Sequence, residues 1–286
     1  MWELWRTSLL LATARASLQV TTRSGLSGLM MILMTMITMV TISHHQTKIL
    51  LCFHSESVRG QRTNQPTICL QDATAGVAEF PLLMPRVVPT MAETYLCTPI
   101  RMDTEENYYI VGFKPNATKM TAHHMLIYGC EEPGDVSPAW NCGEMAVSEP
   151  GLENHPVCAS GSQIIYAWAM DATSLKLPEG VGFRVGANSN IKYLVLQVHY
   201  ASTDYIDPKG DDSGVILEFT EQEQPKTAGV LLMGTGGSAP AHSTTYFETA
   251  CEVQDRRTVH PFAFRTHTHS LGKMNIRYQV FRSETI

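Results

Sequence analysis

The chain has 286 residues, of which 44% are hydrophobic and 17% are charged. This balance is typical of a globular protein and argues against intrinsic disorder. The formal net charge is -6 and no stretch concentrates basic residues, so nucleic acid is not an expected partner. Frequent glycine and proline, without long runs of helix-forming residues, favour β structure.

The N-terminal region differs in character from the rest, and we interpret residues 1–78 as an extension. Residues 24–47 contain no charged side chain, and their apolar core, residues 29–42, is interrupted by threonines. Several arginines precede this core, as in a late signal peptide or a signal anchor. The core is short and rich in threonine for a membrane-spanning helix. An extension without a folded role is therefore an equal alternative.

Strand-like segments follow one another from Phe80 onward. They are rich in β-branched and aromatic residues and are separated by turn signals such as EEPGD, LPEG and DPKGDD. Many short strands of this kind predict an all-β fold built as a β-sandwich. The predicted strands are residues 108–113, 123–130, 162–170, 191–200, 213–220, 228–234 and 260–269, with one more in the tail after residue 273.

The cysteines indicate an oxidising compartment. There are 7 of them, and none forms a CxxC pair, so a zinc ribbon is not indicated. Scattered cysteines in a β-rich chain favour disulfides, and an odd count leaves at least one without a partner within the chain. The triplet Asn116-Ala117-Thr118 is an acceptor sequence for N-glycosylation, which also supports a secretory route.

Five of the 11 histidines stand in patterned places. His267 and His269 are two residues apart, so in a strand they share one face with Arg265. His199 lies in a strand with apolar residues on both faces, which predicts burial on both sides. His123 and His124 are neighbours, which point to opposite faces of a regular strand.

For each of these histidines, a structural role without a metal stays open. His199 alone is more typical of a core histidine satisfied by a hydrogen bond, because a buried imidazole needs a partner or a metal. His123 and His124 can bind one ion only if the backbone bulges or different ring nitrogens are used. Taken together, the five suggest a three-histidine site and a two-histidine site. Such donors suit copper, with zinc as the rival.

The motifs around these histidines resemble those of the peptidylglycine α-hydroxylating monooxygenases, copper enzymes that start C-terminal peptide amidation. The resemblance runs from about residue 80 to about residue 278. It implies two β-sandwich domains with one copper on each, the first in residues 79–225 and the second, incomplete, in residues 226–286. The motifs, in order, are FPLLMP, TYLC, HHMLIYGC, YAWA, LPEGVGFRVG, YLVLQVHY, DDSGV and FAFRTHTHSLGK.

The resemblance assigns the histidines to the two copper ions. It implies that His123, His124 and His199 bind the first copper, which donates electrons. It also implies that His267 and His269 bind the second copper, where dioxygen and substrate meet. The family's second copper has a third ligand, a methionine, in a segment that would follow residue 286, so this ligand is missing from the expected set.

Three further residues match catalytic positions of the family. Arg265 matches the arginine that holds the carboxylate of the substrate's C-terminal glycine, a task suited to the bidentate fork of a guanidinium. The related dopamine β-monooxygenases share the histidine pattern but lack this arginine, so Arg265 favours a peptide substrate. Tyr95 and Gln197 match residues that line the first copper site and the route between the sites.

The family's disulfides carry over in the same way. The resemblance implies one bridge between Cys97 and Cys142 and another between Cys130 and Cys158. Cys251 matches a cysteine whose partner would follow the last residue. The two remaining cysteines, Cys52 and Cys69, lie outside the resemblance.

The implied reaction inserts one oxygen atom of dioxygen into the Cα–H bond of a C-terminal glycine, with ascorbate as the reductant. A separate lyase would then release the amide from the hydroxyglycine product. The implied location is the secretory pathway, in a secretory vesicle or outside the cell, with membrane anchoring by residues 24–47 as a further option. A truncated, non-catalytic module that binds copper or peptide is the alternative expectation.

Overall fold

The computed structural model describes residues 12–21, 32–43, 76–143, 150–252, 259–267 and 272–281. Strands are the regular elements throughout these residues, and no helix occurs among them, so the predicted all-β fold class is confirmed. The strands are β1 (Ala12–Thr21), β2 (Ile32–Ser43), β3 (Ala78–Leu83), β4 (Thr94–Arg101), β5 (Asn107–Asn116), β6 (His124–Cys130), β7 (Glu132–Pro133), β8 (Trp140–Asn141), β9 (Cys158–Ser160), β10 (Gln163–Ala169), β11 (Leu175–Lys176), β12 (Val181–Gly186), β13 (Tyr193–Tyr200), β14 (Gly214–Thr220), β15 (Lys226–Gly237), β16 (Thr244–Glu252), β17 (Val259–His267) and β18 (Gly272–Phe281).

The strands fall into two compact units. One unit comprises His44–Thr227, and the other combines Met1–Ser43 with Ala228–Ile286. The first unit contains a five-stranded antiparallel sheet in the order β10-β6-β13-β4-β8. Its second sheet has the antiparallel order β12-β5-β14-β3, and β11 also pairs with β5.

An aromatic core joins the two sheets of the first unit. Phe113 of β5 is fully buried, and its ring stacks on Tyr166 of β10, with centroids 4.3 Å apart and planes 7° from parallel. The ring of Phe183 in β12 meets Phe113 edge-on at 6.1 Å. Because β5 and β10 belong to different sheets, these contacts form the interior of a β-sandwich.

Strand β13 lies at the centre of the five-stranded sheet, between β6 and β4. Every residue from Leu194 to Tyr200 is buried, which confirms the predicted burial on both faces. The sequence of a strand covered on both faces is a continuous apolar run, without the usual alternation of apolar and polar residues. The polar residues within that run, Gln197 and His199, are therefore in the interior of the unit.

Both implied disulfides are present. Cys97 is bonded to Cys142, with Cα atoms 5.8 Å apart, and Cys130 to Cys158, with Cα atoms 5.5 Å apart. They pack around the buried ring of Trp140, whose Nε1 donates to the Pro156 carbonyl oxygen at 3.0 Å. The backbone of Cys251 lies in β16, whereas Cys52 and Cys69 fall outside the described residues.

The second unit is built from both ends of the chain. β1 is the middle strand between β16 and β18, and β2 lies between β17 and β15. The strand expected in the tail is present as β18. β2 falls inside residues 24–47, the candidate signal or anchor segment. Among the described residues, no helix has the length and apolar character needed to cross a membrane.

Candidate metal centre

Three histidines converge at one end of the five-stranded sheet. His199 of β13 pairs in register with His124, the first residue of β6, and with Tyr95 of β4 on its other side. The backbone N–H of His123 donates to the carbonyl oxygen of His199 at 2.9 Å. Within the described residues, the side chains of these three histidines are spaced so that they could bind one metal ion.

A turn before β6 resolves the problem of two neighbouring histidines. The carbonyl oxygen of Thr118 accepts hydrogen bonds from the N–H groups of Thr121 and Ala122, at 3.1 and 2.9 Å. His123 follows as a bend residue that precedes the strand. Strand alternation therefore does not separate it from His124, and both rings reach His199.

The ring nitrogens are spaced as ligands of one ion. Nδ1 of His124 lies 3.2 Å from Nδ1 of His123 and 3.4 Å from Nδ1 of His199. Imidazole nitrogens bind zinc at about 2.0–2.1 Å, so two of them at a tetrahedral angle are about 3.3 Å apart. The three donors all lie within 4.8 Å of one another. The residues present therefore fit a small transition-metal ion.

Tyr95 and Glu93 surround the buried histidine. The ring of Tyr95 stacks on His199 with centroids 4.1 Å apart and planes 6° from parallel, and it meets His124 edge-on at 5.8 Å. Oε2 of Glu93 lies 2.9 Å from Nε2 of His199. Burial raises the pKa of Tyr95, and the Glu93 carboxylate raises it further, so its phenol is neutral at pH 7. Sequence reasoning missed Glu93, whose only signal was its place two residues before Tyr95.

Gln197 contacts the disulfide loop. Its side-chain amide donates to the carbonyl oxygen of Cys142 at 3.1 Å, and the N–H of Cys142 donates to the carbonyl oxygen of Tyr95 at 3.0 Å. These bonds connect the Cys97–Cys142 bridge to the strands that carry His199 and Tyr95. The catalytic role assigned to Gln197 stays a prediction.

The second predicted site is described only in part. Arg265 is half-buried in β17, in register with Ile37 of β2. The same strand ends at His267, whose side chain is outside the description, and His269 lies outside the described residues. The assignment of His267 and His269 to a second copper therefore stays a prediction.

The fold and site define a class: a β-sandwich protein that offers three imidazole nitrogens and no thiolate or carboxylate, a donor set suited to copper. Residues 80–207 match the N-terminal domain, and residues 226–286 the C-terminal domain, of the family described as copper type II ascorbate-dependent monooxygenase. The chain belongs to this family.

Similar proteins agree with this assignment. The chain is 40% identical over 200 residues to peptidyl-glycine alpha-amidating monooxygenase A of Xenopus laevis, a match covering 69% of this chain and 20% of that protein. Identity to the amidating monooxygenase of Mus musculus is 38% over 69% of this chain and 19% of that protein. Dopamine beta-hydroxylase of Homo sapiens is 26% identical over 65% of this chain and 32% of its own length. The chain thus spans about a fifth of the amidating monooxygenases.

Proposed function

We propose that this protein is a copper- and ascorbate-dependent monooxygenase that hydroxylates the Cα of the C-terminal glycine in glycine-extended peptides. The convergence of three imidazole Nδ1 atoms at one end of the five-stranded sheet is the observation that carries the proposal. His123, His124 and His199 would hold the first copper, and His267 and His269 the second. Copper, when bound, supplies electron transfer and the chemistry of dioxygen.

Two of the three donors of the first site, His124 and His199, lie on paired strands. His199 is buried, His124 is half-buried and His123 is exposed, so the metal would lie at the surface end of a rigid sheet. The stacked ring of Tyr95 keeps the imidazole of His199 in its plane. Rigid strands hold donors more accurately than loops do.

A peptide substrate is supported by Arg265 and by the relatives. The proteins with 37–40% identity are named as acting on peptidyl-glycine. Arg265 is half-buried, and a partly desolvated guanidinium binds a carboxylate more strongly than an exposed one does. It would hold the C-terminal carboxylate of the peptide near the second copper.

The protein would act in the secretory pathway, together with a second enzyme. The product would be consumed by a separate lyase that cleaves hydroxyglycine. The two disulfides fit the oxidising secretory route. Asn116, exposed at the end of β5, would carry N-linked glycan.

A turnover assay tests the proposal. The full chain is loaded with copper and supplied with ascorbate, ¹⁸O₂ and a peptide that ends in glycine, and mass spectrometry follows incorporation of one ¹⁸O into that glycine. The same peptide with an amidated C-terminus is the matched control, because it lacks the carboxylate for Arg265. Labelled glycine in the free-acid peptide alone is the expected result.

A folded, copper-loaded chain that forms no product would contradict the proposed catalysis. Such a chain, which holds copper or binds glycine-extended peptide without turnover, would be a non-catalytic binding module. Circular dichroism and copper content, measured on the assayed sample, separate this outcome from a failure to fold.

A further inference from the structure

Glu93 contacts the one histidine of the cluster that is buried. Its Oε2 lies 2.9 Å from Nε2 of His199, whose side chain is 6% exposed, whereas the side chain of Glu93 is 62% exposed. The carboxylate therefore reaches from the surface to the edge of a buried ring. This contact is independent of the contacts that His199 makes with the other two histidines.

The two nitrogens of His199 have different partners. Nδ1 lies 3.4 Å from Nδ1 of His124, inside the cluster, while Nε2 faces the carboxylate of Glu93. A carboxylate accepts an N–H, so this arrangement places the proton on Nε2 and leaves the lone pair of Nδ1 for a metal. Metal-binding histidines commonly donate their second N–H in this way, which fixes the orientation of the ring.

Stacking on Tyr95 does not fix this orientation. A half-turn of the imidazole about its Cβ–Cγ bond would keep the ring parallel to Tyr95 while moving Nδ1 away from the cluster. The hydrogen bond to Glu93 distinguishes the two orientations, because it holds Nε2 at the outer edge. The phenol ring and the carboxylate thus constrain different motions of the same imidazole.

The backbone at Glu93 supports a specific role. Its φ is 59°, in the left-handed region that residues other than glycine rarely adopt. It ends the turn before β4, in which the Thr94 hydroxyl donates to the Met91 carbonyl oxygen at 2.7 Å. Such strained residues persist where the surrounding structure holds them, and they cluster at functional sites.

We infer that Glu93 is a positioning residue, which keeps His199 oriented with Nδ1 toward the first copper. The inference rests on the proposed function, because it concerns a ligand of that copper. Glu93 acts through His199 and makes no bond to the metal itself. Its loss should free the ring to rotate and weaken copper binding by about 10–100-fold, the usual effect of removing such a partner.

Three substitutions separate the carboxylate from the backbone. Glu93→Ala removes the carboxylate, and Glu93→Gln keeps an oxygen that can accept a hydrogen bond from the Nε2–H of His199. Glu93→Gly also removes the carboxylate but relieves the left-handed backbone. Glu153→Ala is the matched control, because Glu153 contacts a half-buried histidine outside the cluster, His155, at 3.2 Å. All chains carry His267→Ala, so an ion bound through His267 does not contribute.

Two properties are measured on each full-length chain. Competition with a chelator gives the Cu(I) affinity, and electron paramagnetic resonance gives the Cu(II) spectrum. The tautomer of His199 is read from imidazole ¹⁵N shifts of the metal-free chain. We expect Glu93→Ala and Glu93→Gly to lose affinity equally, alter the spectrum and lose the Nε2–H tautomer. Glu93→Gln should retain most of the affinity, and Glu153→Ala should match the parent.

Each remaining outcome has a distinct meaning. Parent-like affinity, spectrum and tautomer in Glu93→Ala would overturn the inference while leaving the copper site intact. A loss in Glu93→Ala that Glu93→Gly restores would assign the effect to the backbone, which also overturns it. A parent chain that binds no copper would overturn the proposed function and this inference together.

Discussion

Removing the Cys97–Cys142 bridge should destabilise the first unit by about 4 kcal/mol. The bridge closes a loop with a sequence separation of 45 residues. The chain-entropy relation for a loop of that length gives about 4 kcal/mol at 25 °C. Both sulfur atoms lie in the cluster around Trp140, so replacing both cysteines with alanine also removes buried contacts there. The lost contacts add to this entropic contribution, so the measured loss should not be smaller than it.

Urea unfolding of the full chain, followed by tryptophan fluorescence under non-reducing conditions, measures the effect in Cys97→Ala/Cys142→Ala. Trp140 reports on the same region, because its ring packs against both bridges. Removing Cys130 and Cys158 together is the comparison, since that loop has a separation of 28 residues and a predicted cost of about 3.5 kcal/mol. An unchanged free energy of unfolding in both double variants would show that the two bridges do not stabilise this unit.

Three more predictions follow from other parts of the molecule. Arg265→Ala should raise the KM for glycine-extended peptides roughly 30-fold, equivalent to about 2 kcal/mol for a half-buried charge pair, whereas an unchanged KM would remove its carboxylate-binding role. Phe113→Ala should lower the free energy of unfolding by about 3–5 kcal/mol, and Phe113→Leu by less; equal stability of Phe113→Ala and the parent in urea would contradict the sandwich core. Deleting residues 1–43 should expose the edges of β16, β17 and β18 and cause faster amide hydrogen exchange there, while unchanged protection would contradict the pairing of β1 and β2.

The sequence predicted the strands that are strongly patterned. β5, β6, β10 and β13 follow runs of β-branched and aromatic residues, and the apolar character of both faces of β13 correctly predicted its burial. Strands β4 and β12 were not predicted, although they pair with β13 and β5. The pairing of the N-terminal strands β1 and β2 was not predicted either, because partners more than 200 residues apart leave no local signal.

The candidate site shows the same division between local and non-local information. The type of donor was visible, since histidine side chains stood at patterned positions. Periodicity did not show their convergence, because the register of β6 on β13 is set by contacts across the sheet. The shared site was predicted from the family resemblance alone. The neighbouring pair His123 and His124 argued against a shared ion on strand geometry. The turn at Thr118, which places His123 outside the strand, removes that objection.

The assignment of the metal centre is tested by comparing the copper content of the full chain with that of His124→Ala. His124 is the member whose Nδ1 lies within 3.4 Å of both other Nδ1 atoms, so its removal should abolish the three-nitrogen site. His155→Ala, which removes a half-buried histidine of the same unit outside the cluster, is the matched control. We expect one copper fewer per chain in His124→Ala and parent-like content in His155→Ala. Equal copper content in all three chains would contradict the assignment of His123, His124 and His199 as the metal centre.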